Sequence, residues 1–146
     1  MEAVLKIGTR SERVQVPDDR LQGILMPNEV VVTLTGEAEV RRALQEPIGA
    51  PQLRELVHPN EKIVIITSDI TRPMPTWKVM PALLDELYAA GVKKENITLV
   101  FALGSHRRHT EEEQRHLAGD RAWNEITCVD GDTADCVHIG ITSRGT

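Results

Sequence analysis

Two short stretches of the chain bring together residue types that can do chemistry. Ser68-Asp-Ile-Thr-Arg-Pro-Met-Pro75 holds Asp69 and Arg72 between stiffening prolines, and Gly104-Ser-His-Arg-Arg-His-Thr110 holds His106 and Arg107. A guanidinium such as that of Arg72 is a planar fork suited to gripping a carboxylate or phosphate through two parallel hydrogen bonds. An imidazole ordinarily titrates near neutrality, so His106 is the candidate acid/base. Asp69 can serve as a turn residue, or it can orient Arg72 or a histidine. The plainer alternatives are an Asp69–Arg72 surface ion pair and a loop histidine bonded to backbone. Position in the fold must choose between them.

The flanking elements supply that position. Lys62-Ile-Val-Ile-Ile-Thr67 is an apolar β-branched run of the kind found in a buried parallel strand. Asn96 to Leu103 is a second such run, and it leads directly into Gly104. Between them the spacing predicts a helix from Trp77 to Ala90, with Val79, Leu83, Leu84, Leu87 and Tyr88 as its apolar stripe and Gly91 as its terminator. Pro81 fits if it lies in or just after the first turn. Strand, helix, strand reads as a right-handed βαβ unit with both strands parallel. Ligands of open α/β sheets bind at the carboxyl ends of strands. Asp69, Arg72, His106 and Arg107 are therefore expected to converge on one sheet edge.

The rest of the chain predicts a Rossmann-like α/β fold: a mostly parallel sheet with flanking helices and an N-terminal β-hairpin, as a single domain over residues 1–146. The hairpin is expected from Ala3–Gly8 and Glu12–Val16 around a turn at Thr9 to Ser11. Leu21–Met26 and Glu29–Leu34 read as extended pieces. Gly36–Gln45 and Pro51–Val57 read as helices, the first with Val40, Ala43 and Leu44 inward. Thr110 and Glu113 form a capping-box match for a helix to about Ala118. Glu125–Val129 and Cys136–Thr142 are the last strand candidates. His109 and His116 are read as solvated, and His58 and His138 as structural. The spacing of His106 and His109 offers no third metal ligand, so no metal is assigned.

With 146 residues, 40% hydrophobic and 27% charged, the chain can build an ordinary globular core, although aromatics are only 3%. A net charge of −5 excludes a general nucleic-acid surface. There is no apolar run of membrane-spanning length and no signal-peptide core. Cys128 and Cys136 lack metal-site spacing and read as two buried thiols of a reducing cytoplasm. GxxxxGK[ST] and GxGxxG are both absent, and the want of a P-loop and of a Mg²⁺-type acid cluster argues against phosphoryl transfer.

Asp69-Ile-Thr-Arg-Pro-Met-Pro75, followed by Gly104-Ser-His-Arg-Arg-His-Thr110, resembles the paired signature of the nickel-pincer lactate racemase family. The Ala90-Gly91-Val92 segment and the end at Thr142-Ser-Arg-Gly-Thr146 are also similar, so the resemblance spans nearly the whole chain. It implies a racemase or epimerase acting on lactate or another 2-hydroxy acid. The reaction would be a reversible hydride transfer to a nickel-pincer nucleotide. By the same resemblance His106 is one of two catalytic histidines, Arg72 grips the substrate carboxylate and Asp69 supports the site. Arg107 is a second substrate-binding candidate, from the charge of its loop alone. The second histidine, the lysine that holds the pincer and the nickel-ligating histidine are expected beyond the point matching Thr146. The chain is accordingly expected to be an N-terminal fragment of a longer two-domain racemase, completed by the remaining C-terminal part. Alone it should neither hold the cofactor tightly nor turn over substrate. The alternative is a non-enzymatic α/β module that binds an anion through Arg72, Arg107 and the helix start at Thr110.

Overall fold

The computed structural model describes residues 1–131 and 136–145, and it divides into two compact units, Met1–Val32 and Thr33–Thr146. The first unit contains an antiparallel hairpin, β1 (Glu2–Ile7) paired with β2 (Arg10–Gln15). Its register pairs Ile7 with Arg10, so the turn is Gly8-Thr9 and not the expected Thr9 to Ser11. Gly8 has φ +59°, a left-handed backbone that glycine adopts without steric cost at the first central position of a two-residue hairpin loop. The Met1 ammonium closes the open end on the Val16 carbonyl at 2.9 Å and Asp18 at 2.6 Å. Residues 21–34 pair with no strand among the described residues.

The second unit is the α/β body. Helix α1 (Gly36–Gln45) has the predicted limits, with Val40 and Leu44 half-buried and Ala43 exposed instead of inward. Helix α2 (Leu53–Leu56) is shorter than predicted, with Gln52 and Glu55 as a reciprocal capping box. Strands β3 (Ile63–Ser68), β4 (Ile97–Ala102) and β5 (Thr127–Asp130) form a parallel sheet in that order. Helix α3 (Thr76–Ala89) makes the first crossover, and α4 (Glu111–Ala118) with α5 (Asp120–Glu125) makes the second. The βαβ prediction holds. The buried stripe of α3 is Met80, Leu84 and Leu87, with Val79, Leu83 and Tyr88 only half-buried.

One face of the sheet carries the core. Ile97, Leu99 and Phe101, alternate residues of β4, are buried against Met80, Leu84 and Leu87 of α3, Leu117 and Ala118 of α4, and Ala122 of α5. On the opposite face Val64 and Ile66 are 61% and 71% exposed. Ion pairs tie the surrounding helices to α3. Arg41 of α1 reaches Asp85 at 2.6 Å, and Arg54 of α2 grips Glu86 through two nitrogens at 2.6 and 2.8 Å.

Further predictions fail: Cys136 is exposed and Cys128 only half-buried, where both were expected to be buried. Cys136–Thr142 forms no strand; Val137, Ile139 and Ile141 alternate as a strand would, but no described strand pairs with them and they are exposed. The expected start of the last strand at Glu125 is instead the end of α5, a helix the sequence did not announce.

Candidate functional site

Parallel strands place their carboxyl ends on one edge, and each end here delivers part of one cluster. After β3 the chain makes a tight loop pinned at both ends. The Thr67 and Thr76 hydroxyls meet at 2.5 Å in a buried contact, and Ser68 Oγ accepts the Met74 N–H at 2.7 Å. These two bonds close the loop around Asp69, Thr71 and Arg72. After β4 comes the loop with His106, Arg107 and His109, which ends where Thr110 caps α4. Strand β5 ends at Asp130.

Asp69 is buried, and its carboxylate turns to the second loop. His106 Nδ1 lies 2.5 Å from Asp69 Oδ2, while the Thr71 hydroxyl donates to Asp69 Oδ1 at 2.8 Å. Thr71 Oγ1 also stands 3.2 Å from His106 Nδ1. The Thr71 hydroxyl, followed by His106, holds the Asp69 carboxyl below the ordinary carboxylate range, against the opposing effect of burial. With Nδ1 occupied by a carboxylate, the His106 ring is fixed in orientation. The side chain is 49% exposed, so Nε2 is left to act on something outside. A carboxylate behind an imidazole is the arrangement that prepares a proton acceptor.

Asp69 and His106 are thus brought together. Arg72 is exposed one residue beyond Thr71 and makes no hydrogen bond or ion pair among the described residues. The Asp69–Arg72 ion pair considered from the sequence does not form, because Asp69 is already engaged. Arg107 is placed differently. Its guanidinium grips Glu113 at 2.7 and 2.8 Å and donates to the Arg108 carbonyl at 2.9 Å. Arg107 and the Thr110 backbone hold Glu113 down at about 2. The start of α4 carries Glu111, Glu112 and Glu113, which disfavours an anion there.

His109 departs from its predicted solvated role. Its side chain is 1% exposed, bonded to Asp130 and packed edge-on against Phe101. Thr71, His109 and Asp130 are the members of the cluster not singled out from sequence. Thr71 had a signal, its place two residues after Asp69. The others had none, because their contact joins the loop after β4 to the end of β5. A concave space of about 610 Å³ lies elsewhere, beside Trp77 and α5. Its Arg115 and Arg121 are already paired with Asp120 and Asp85, so size there does not indicate chemistry.

Residues 7–146 match the family model of the lactate racemase N-terminal domain. The chain belongs to this family. It is 40% identical over 107 residues to the lactate racemase of Thermoanaerobacterium thermosaccharolyticum, covering 72% of this chain and 25% of that protein. It is 32% identical over 141 residues to the lactate racemase of Lactiplantibacillus plantarum, covering 93% and 33%. The solved structure of the Thermoanaerobacterium thermosaccharolyticum lactate racemase apoprotein superposes with a TM-score of 0.83 at 31% identity, over 99% of this chain and 34% of that one. The chain therefore spans a quarter to a third of the lactate racemases it resembles. The resemblance seen in the two loop motifs is a family relationship.

Proposed function

We propose that this chain is the N-terminal catalytic portion of a racemase or epimerase of 2-hydroxy acids, supplying one acid/base group and the carboxylate anchor. The observation that carries the reading is the Asp69–His106 pair, with the imidazole fixed through Nδ1 at the carboxyl edge of a parallel sheet. The family membership supports the substrate class. In this reading His106 Nε2 takes the substrate hydroxyl proton, Asp69 steadies the imidazolium that results, and Arg72 holds the substrate carboxylate. Loss of the hydroxyl proton and of the hydrogen on the chiral carbon leaves a planar 2-keto acid, whose two faces are open to return. The second histidine, for the other face, is assigned to the remaining C-terminal part of the protein.

Among the described residues no three His, Cys, Asp or Glu side chains gather as a metal site. The same proposal, from the family resemblance, assigns the residues that hold a nickel-pincer nucleotide to polypeptide outside this chain and takes the isolated chain to be inactive. When bound, that group supplies the acceptor for the hydrogen of the chiral carbon by reversible hydride transfer. A cytoplasmic setting belongs to the same proposal, on the ground that the two cysteines have no metal-site spacing. No helix among the described residues is long and apolar enough to cross a membrane.

The anion-binding alternative loses two of its three elements, since Glu113 takes Arg107 and the first turn of α4 is acidic. The deciding experiment expresses the whole polypeptide together with the pincer-making enzymes and follows chiral exchange across a panel of 2-hydroxy acids. Exchange that depends on both His106 and Arg72 supports the reading. Exchange that survives His106→Ala at wild-type rate removes His106 from the reaction.

A further inference from the structure

We infer that His109 is a positioning residue: a tautomer-fixed imidazole that ties the loop carrying Asp69, Thr71 and Arg72 to the ends of two neighbouring strands. The inference rests on the proposed reading only for its catalytic consequence. The Ile70 N–H points at His109 Nε2 with a separation of 3.0 Å. A backbone N–H can only donate, so Nε2 must be the unprotonated nitrogen. The ring proton is then on Nδ1, which donates to Asp130 Oδ1 at 2.6 Å, while the His109 backbone N–H donates to Asp130 Oδ2 at 2.8 Å. Burial opposes charge on Asp130, but the His109 donors hold its carboxyl below the ordinary range. Both ring nitrogens are used inside the protein. His109 has neither a lone pair nor a proton to offer substrate or metal.

The two histidines of this loop therefore divide the work. Asp69 and Ile70, adjacent on the first loop, each hold one of them: Asp69 takes His106 and Ile70 takes His109. His106 keeps one nitrogen for outside use, and His109 keeps none. Strand β5 enters the site through Asp130. Without the Ile70 bond, the hydrogen bonds joining the first loop to the second among the described residues would all end on the His106 ring that the loop must orient, from Asp69 and Thr71.

Two substitutions separate the halves of this clamp. In His109→Gln the side-chain carbonyl reaches the Nε2 position and can accept from Ile70. In His109→Asn the amide reaches only the Nδ1 position and keeps the donor to Asp130. Ring ¹⁵N spectra of the wild type should show His109 protonated at Nδ1 and bare at Nε2. In the Asn variant the Ile70 amide should exchange about tenfold faster, as for one lost hydrogen bond, and the His106 ring signals should shift. In the assembled enzyme kcat should fall while KM changes little. The Gln variant should restore Ile70 protection and the His106 signals toward wild type. A wild-type His109 protonated at Nε2 overturns the inference, and that measurement needs no variant to fold. So does an Asn variant that lowers only the melting temperature and leaves His106 and Ile70 unchanged. The ring and exchange readouts need no turnover, so they stand even if His106 proves dispensable for racemisation.

Discussion

The buried carboxylate of Asp69 and the half-exposed imidazole of His106 meet at 2.5 Å across 37 residues of sequence. Each residue lies in the loop that follows one of two parallel strands, so the contact exists because β3 and β4 run side by side in the same direction. It decides which ring nitrogen faces outward. Replacing His106 by Ala in the complete enzyme should lower exchange by about 10²–10⁴-fold in both directions, the usual range for a lost acid/base group. Asp69→Asn should also lower kcat, with KM less affected, because the ring loses the partner that fixes it. Chiral analysis starting from each stereoisomer measures both effects.

Arg72 is exposed and makes no ion pair among the described residues, so its removal should leave folding intact. Arg72→Ala should change stability by no more than about 0.5 kcal/mol, as is usual for a surface site. The same substitution should raise KM and lower turnover. Arg72→Lys should recover only part of the loss, since an ammonium lacks the fork. A melting curve beside steady-state kinetics separates the two effects.

Glu113 links the site loop to α4 by binding both Arg107 and the Thr110 N–H. Its carboxyl is lowered from an ordinary 4.5 to about 2, with Arg107 as the leading cause. A depressed folded value means that the contribution is present above pH 4.5 and is lost as pH falls towards 2. Acid titration of stability should therefore be shallower in Glu113→Gln than in wild type between those limits. Parallel curves would show that Glu113 does not contribute.

Gly119 separates α4 from α5 with φ +81°, and a Cβ placed there would lie 2.9 Å from Trp77 Cβ and 3.1 Å from Trp77 Cα. Both the backbone angle and the contact penalise a side chain. Gly119→Ala should destabilise by about 1–3 kcal/mol. Denaturant unfolding measures it, and an unchanged midpoint would contradict the close approach.

Legibility followed the range of the cause. The core βαβ unit could be read because β-branched runs and the apolar face of α3 are local patterns. The Thr110–Glu113 cap could be read because its partners are three residues apart. Helix α5, Asp120–Glu125, is too short and polar to show a period, so it merged into the following strand. Cys136–Thr142 has the alternation of a strand, but alternation does not supply a partner. At the site, Asp69 and His106 stood out by residue type and position. The burial of His109 did not, since it depends on a carboxylate 21 residues downstream on another strand.

The apolar side chains exposed on one side of the parallel sheet have a practical outcome for anyone purifying this polypeptide by itself. Ile66, Val100 and Val129 sit in one row across the three strands, flanked by Val64, and parallel sheets are ordinarily sheathed on both sides. Salting-out agents such as sulfate strengthen apolar association. Concentrated stocks should therefore cluster through these valines and isoleucines well before they unfold, and lysine at position 66 should keep them dispersed.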